Sequence, residues 1–304
     1  TSSVSNPIQT LSVTFKEKEY DESKFSTLIA NALGTQHHDL LLSENALLEN
    51  LPPALEAMDQ PTVDGINTYM ISQLARNKGL KVALSGLGGD ELFAGYDSFL
   101  LVPSLNRIKI IMSALPLLLR KQLGHIVSKL VPLSDKNTKL KHMIKGKYSG
   151  AHVYFLFRAL FCEEEVATLF ADSSIKDAEI EKNLRNTQQL IDSKSDLSPV
   201  DLISYLELTQ YMATTLLRDT DMMSMAHSLE VRVPLIDHKL VELMFSIPSK
   251  MKIKHGSPKT LLVNSLKRKL PDSIVRRKKM GFALPFETWM RGKMRSEMES
   301  VLSR

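Results

Sequence analysis

Between Leu80 and Tyr96 the chain reads LKVALSGLGGDELFAGY: a short apolar run, three glycines within four positions, then two adjacent acids. LKVALS, bounded and apolar on both faces, predicts a strand of a parallel sheet. A helix is predicted to start near Asp90. A strand that turns into a helix through glycines is the junction of an open α/β sheet, where ligands bind at the carboxyl ends of the strands. Glycines there let backbone N–H groups approach an anion with no Cβ in the way, and a helix start directs its positive end to the same place. Asp90 and Glu91 conflict with a bare phosphate cradle, because carboxylates repel phosphates. A divalent cation removes the conflict, since magnesium takes carboxylate together with phosphate oxygens. The alternative is that both acids only stabilise a helix N-terminus, about 0.3–1 kcal/mol each. The stretch by itself leaves the two readings open. It is neither a Walker loop, because no Lys-Ser/Thr follows, nor GxGxxG.

The neighbouring segments supply the rest of such a sheet. TLSVTF (10–15) alternates as a strand, and KEYDESKFSTLIANAL is apolar at helical spacing up to Gly34. HHDLLLS reads as a short strand. Asn45–Met58 reads as a helix that Pro52 and Pro53 either break or restart. DQPTVDG is a loop, and INTYMISQLARNKG an amphipathic helix ended by Gly79. The order β-α-β-α-α-β predicts an α/β fold with an open, doubly wound, mostly parallel sheet over residues 1–100. From 101 to 304 the periodicity is almost wholly helical, over parts of 100–130, 150–171, 176–192, 199–228, 237–246, 258–269 and 285–303. With 13 glycines in 304 residues the chain is neither all-β nor low-complexity. No repeat or long linker interrupts it, so one domain is expected, its helical half packed on the sheet.

Charge and cysteine usage narrow the class. The formal net charge is +5, concentrated in Arg107–Lys147 and in KRKLPDSIVRRKK. Neither run is interleaved with aromatics for base stacking, so a solvated helical face or the rim of an anionic-substrate site is preferred to nucleic-acid binding. Cys162 is the single cysteine, which rules out an internal disulfide or a cysteine zinc site and points to a reducing, cytoplasmic compartment. It reads as core filler beside Phe161. TSSVSNPIQT has no signal-peptide pattern, and IKIIMSALPLLL is too short to span a bilayer and contains Pro116. A first residue of Thr suggests a piece of something longer. His37, His38 and Asp39 lack further ligands nearby. Arg218, Asp219, Asp221, His227, Glu230, Arg232 and Asp237 punctuate a core-like stretch, where charges must be paired or used. Structural ion pairs are expected for most, Arg218 with Asp221 among them. RRKKMGFALPFETW has the form of a loop that delivers a cation.

DQPTVDGINT, SGLGGDELFAGY, SMAHSLEVRVPLIDHKLVE and RRKKMGFALPFETW, taken together, resemble the synthetase domain of the asparagine synthetase family, the N-type ATP pyrophosphatases, over nearly the whole chain. The resemblance implies an adenine nucleotide alpha-hydrolase-like sheet and a two-step reaction. A carboxylate attacks the α-phosphorus of ATP with release of pyrophosphate. Ammonia, made from glutamine in a separate glutaminase domain, then displaces AMP to give an amide, with aspartate the first candidate substrate. It implies Val13 against adenine, Ser85 and Gly86 against the nucleotide, and Gly88 and Gly89 in the same loop. Asp90 would hold Mg²⁺ and pyrophosphate, and Tyr96 would lie in the acceptor pocket. Lys279 would neutralise charge that builds on the phosphates, a role worth several kcal/mol in positioned sites. A homodimer is also compatible with this family.

The chain departs from the family pattern in three respects. No Ser-Gly-Gly-x-Asp-Ser pyrophosphate loop occurs, and its expected place is just upstream of Thr1. The glutaminase domain is missing too, and Cys162 cannot replace its N-terminal nucleophile. The chain is therefore expected to be truncated and inactive alone, with a non-catalytic remnant as the rival reading. Finally, Leu87 stands where asparagine-forming members usually carry an acid. That substitution opens amidation of a different carboxylate, in polysaccharide or secondary-metabolite synthesis.

Overall fold

A computed structural model describes residues 8–62, 64–113, 116, 119, 153–155, 158, 173–253, 259–266, 270–275, 281, 284–292 and 294–303. The chain divides into two compact units, one of Thr1–Gly88, Met212–Leu240 and Thr260–Arg304, the other of Gly89–Tyr211 and Val241–Lys259. The described residues are mostly helical with two small parallel sheets, which is compatible with an α/β fold.

In the first unit, β1 (Gln9–Thr14) pairs in parallel with β2 (Gln36–Leu41), Val13 opposite Leu40. Parallel pairing needs a crossover, and α1 (Ser23–Leu33) provides it, closing at Gly34 in the left-handed conformation. His37 is used inside this sheet: Nδ1 lies 2.9 Å from Thr10 Oγ1 and Nε2 3.1 Å from Asp39. Helix α2 (Glu44–Ala57) starts at Ser43, whose hydroxyl accepts the Ala46 N–H at 3.3 Å. It runs unbroken through Pro52 and Pro53, both on its exposed side, while Leu47 and Ala54 are fully buried two turns apart. Next come α3 (Gly65–Asn77) and β3 (Val82–Leu84).

The sequence did not predict β4 (Glu230–Arg232), which pairs in parallel with β3, Ala83 opposite Val231. β3 also differs from the expected strand apolar and covered on both faces. Val82 is 41% and Leu84 75% exposed, because among the described residues β3 has β4 as its only partner strand. The core of this unit gathers Phe15, Leu42, Leu47, Met70, Met223 and Trp289. The Trp289 indole N–H donates to Glu17 Oε1 at 2.7 Å, so its polar edge is satisfied at the margin of the cluster.

The second unit holds the short helix α4 (Gly89–Leu92), α5 (Ser98–Ser113), α6 (Ser173–Ser193) and α7 (Pro199–Leu206). Ser198 caps α7 by accepting the Asp201 N–H at 3.2 Å, and Pro199 occupies the first helical position, where no N–H is needed. Its apolar core gathers Ala94, Phe99, Val102, Val153 and Ile203. The helix predicted over 199–228 is three pieces in series: α7, a π-helix over Glu207–Leu216, and α8 (Leu217–Met225). No described helix is long and apolar enough to cross a membrane.

Candidate functional site

The glycine loop straddles the two units, so its residues fall on both sides of the division. Ser85 ends β3 with its N–H on the Arg232 carbonyl at 2.9 Å, and its hydroxyl accepts the Leu87 N–H at 3.3 Å. The turn then depends on Gly88. Its φ is +88°, and a Cβ there would overlap Ile236 Cγ2. A residue with a side chain is excluded by both facts. Val13 sits on β1, in the other small sheet of the same unit. Lys279 lies outside the described residues, as does Cys162.

In the second unit the two adjacent acids have opposite fates. Glu91 is 1% exposed and accepts the Tyr96 hydroxyl at 2.6 Å; its backbone carbonyl accepts the Ser204 hydroxyl at 2.7 Å. Asp90 keeps a partly exposed carboxylate, with Oδ1 3.0 Å from the Lys259 ammonium. Sequence reasoning treated the pair alike, whereas the fold separates them. Asp90 presents its charge, and Glu91 is an internal strut.

Lys259 is a partner of Asp90 that the sequence did not reveal. HGSPKTLL carries one lysine in a chain rich in them, and nothing in its spacing marks it. Its N–H donates to the Phe93 carbonyl at 3.1 Å, and its φ is +52°, a conformation disfavoured for any residue with a Cβ. Gly95 lies under the pair: its N–H bonds the Asp90 carbonyl at 2.8 Å, and a Cβ would overlap both Asp90 Oδ1 and Lys259 Cε.

Tyr96 is partly buried, and its ring is held by stacking. The Arg158 guanidinium stacks 4.1 Å from its ring centroid and equally close to Tyr211. Burial first, then the charge of Glu91, push the Tyr96 hydroxyl far above the usual tyrosine range. It therefore stays protonated as the donor to Glu91. Arg158 in turn meets the fully buried Glu207 at 2.5 Å, and Ser98 donates to the same carboxylate at 3.0 Å. Burial raises Glu207 above the ordinary carboxylate range, although Arg158 and Ser98 oppose the shift.

The charges around Arg218 are structural, but the expected partner is corrected. Arg218 Nε lies 2.5 Å from Asp59 and Nη1 2.9 Å from Gln60 Oε1; its partner is thus not Asp221. Asp219, 2% exposed, accepts the Thr62 hydroxyl at 2.5 Å. Both contacts fasten the DQPTVDG loop to α8. Arg232 pairs with Glu230 at the surface.

The comparisons with known proteins agree with this sequence pattern. Residues 1–304 match the family described as Asparagine synthase. The chain is 27% identical, over 97% of its length, to glutamine-hydrolysing asparagine synthetase 1 of Bacillus subtilis (strain 168), covering 45% of that protein. It is 28% identical to asparagine synthetase 3 of the same organism, over 90% of the chain and 39% of the relative. A more distant relative, 22% identical over 99% of the chain and 47% of its own length, is amidase chyE of Penicillium rubens. The chain thus spans rather less than half the length of the curated relatives it matches. A family match from the first residue to the last leaves one assignment: the chain belongs to the asparagine synthase family.

Proposed function

We propose that the chain is the ATP-dependent, carboxylate-activating part of an amide-forming ligase. The match of all 304 residues to the family carries this reading. In it, residues 1–304 act as one synthetase domain, with the α/β part as an open doubly wound nucleotide-binding sheet. A carboxylate oxygen attacks the α-phosphorus of ATP and pyrophosphate leaves. Ammonia from glutamine hydrolysis then attacks the acyl carbon, and AMP departs. Aspartate is the first candidate acceptor, in keeping with the relatives' names.

The roles follow from local chemistry. Val13 would offer an apolar strand contact to adenine, and Ser85, Gly86, Gly88 and Gly89 would offer backbone donors to the phosphates. Asp90 would hold magnesium. Among the described residues no three His, Cys, Asp or Glu side chains cluster as a metal cage. In this reading Asp90 supplies a carboxylate and the nucleotide the phosphate oxygens, a combination that suits magnesium. The cation already paired with Asp90, the Lys259 ammonium at 3.0 Å, supports a cationic ligand at that carboxylate. Magnesium would neutralise phosphate charge. Lys279 would add a second positive charge as the α-phosphorus is attacked. The commitment of the Tyr96 hydroxyl to Glu91 supports a wall role in the acceptor pocket rather than proton transfer.

The test is ATP–pyrophosphate exchange by the full-length protein that carries these 304 residues, with a panel of carboxylic acids. Exchange that depends on one acid, and is lost in Asp90→Asn and Lys279→Met, is expected. No exchange with any acid would overturn the reading. Leu87 and the similarity to amidase chyE favour a second acceptor reading, a carboxylate other than aspartate. Exchange with aspartate alone would eliminate it.

A further inference from the structure

The second unit contains an aromatic–guanidinium stack that lies mostly outside the sequence motifs. The Arg158 guanidinium sits between two rings, 4.1 Å from the Tyr211 centroid and 4.1 Å from the Tyr96 centroid. A planar, delocalised cation can lie flat against a ring on each side, which a compact ammonium cannot do. One side of the stack is fixed by charge: Arg158 Nη2 reaches the Glu207 carboxylate at 2.5 Å, and Ser98 donates to that carboxylate at 3.0 Å. Glu207 and Tyr211 come from one turn of the π-helix, a helix form that recurs at functional sites. The other side is fixed by a hydrogen bond, from the Tyr96 hydroxyl to the buried Glu91 at 2.6 Å. Tyr96 is thus restrained twice. Glu91 holds the tip of its ring, and Arg158 holds the plane.

Stability alone does not account for this arrangement. Apolar side chains of similar volume fill an interior as well as a buried ion pair does, or better. The apolar cluster of the unit is complete in Ala94, Phe99, Val102, Val153 and Ile203, with Tyr96 only at its margin. What the stack adds, and apolar packing cannot, is a direction for the Tyr96 ring. We infer that Arg158 and Tyr211 are positioning residues that set the plane of Tyr96 and, through it, the fit of the acceptor acid. This rests on the reading of Tyr96 as a wall of the acceptor pocket, and it adds two residues that act through that wall. A shift of about 1 Å in such a wall can cost up to about a hundredfold in rate. The nucleotide contacts proposed for Val13 and the glycine loop do not include the stack, so the effect falls on the acid and not on ATP.

The experiment separates the two substrates. ATP–pyrophosphate exchange by the full-length protein is measured against the concentration of its acid and, separately, of ATP, with thermal unfolding to verify folding. Arg158→Lys keeps a positive charge for Glu207 but cannot stack as a plane between the rings. It is expected to raise KM for the acid about tenfold, within the scale of a desolvated cation–π contact, and to leave KM for ATP unchanged. Tyr211→Leu removes one face of the stack and should raise the acid KM roughly threefold. Tyr211→Phe keeps that face and should restore the wild-type value. If Arg158→Lys does not fold, Tyr211→Leu, which leaves the Arg158–Glu207 pair intact, is judged by the same split. An acid KM that stays at the wild-type value in the folded variants, or an ATP KM that rises with it, overturns this inference and leaves the proposed function standing. A wild-type protein with no acid-dependent exchange overturns both.

Discussion

The two units stabilise their interiors by different means. In the first, Trp289, Phe15, Leu47 and Met70 form an apolar cluster whose polar edges reach partners at its margin, as the indole of Trp289 reaches Glu17. In the second, full-length charges are taken inside: Glu91, Glu207 and Lys252 are each 1% exposed or less. Lys252 Nζ lies 2.5 Å from Asp201, which also accepts from Ser198 and Ser249. An apolar core tolerates rearrangement, because dispersion and water exclusion have no direction. A buried charge network is less forgiving, since removing one member leaves the others uncompensated. The unit that carries Asp90 and Lys259 is built the second way. That construction fixes the α4 turn through Glu91 and Tyr96 and leaves only the exposed acid able to exchange partners.

The comparison can be broken by stability measurements, beginning with the largest effect. Arg158→Leu should lower unfolding free energy by about 3–5 kcal/mol, because it leaves the buried Glu207 carboxyl without its partner. Urea unfolding followed by circular dichroism reads this loss. Leu47→Ala, in the apolar cluster, should cost about 2–4 kcal/mol. Trp289 is the sole tryptophan and sits in that cluster, so its fluorescence reports the first unit. Arg158→Leu should shift the circular-dichroism midpoint more than the fluorescence midpoint, and Leu47→Ala the reverse. Equal shifts of both signals in both variants would mean one cooperative structure and would dissolve the contrast.

The smallest expected effect is in pH dependence, where the two units should respond with opposite signs. Burial raises Glu207 above its ordinary value of 4.5, so the folded state keeps a proton that the unfolded chain has lost. Its contribution is complete below that value and declines as pH rises through the raised one. Burial lowers His227 below its ordinary 6.5, with the ring edge-on to Tyr69 and Nε2 buried without a hydrogen-bond partner among the described residues. The unfolded chain therefore takes up that proton first, and stability falls as pH drops below about 6.5. Glu207→Gln should flatten the alkaline-going decline seen by circular dichroism. His227→Leu should flatten the acid-going decline seen by fluorescence. If either variant keeps the wild-type slope, the titrating group lies elsewhere.

Much of the first unit was legible because its signals are local. β1, α1, β2, α2 and α3 follow from alternation, helical spacing and Gly34 as a stop, each set by residues a few positions apart. The glycine turn was legible for the same reason: Gly88 needs a positive φ wherever a strand enters a helix this sharply. β4 was not, since three residues show no usable period, and its partner β3 is nearly 150 positions away. The partners of Arg218 were missed in a similar way. Asp221 is the near neighbour on the helix, but Asp59, on a distant loop, is the group that packing brings to it.

By itself, the sequence determined the family, the strand–glycine–acid junction and the candidate identity of Asp90, because these depend on residue types in order along one chain. Only the tertiary structure decided which of two adjacent carboxylates keeps its charge in contact with solvent. Side chains on successive residues point in different directions, and whether a direction leads to Tyr96 or to Lys259 is settled by what distant segments place there. Helical periodicity cannot report that Lys259 returns to the turn at Phe93 or that Arg158 stacks on Tyr96. Such contacts reflect long-range packing, in which each residue's neighbours are chosen by the whole fold.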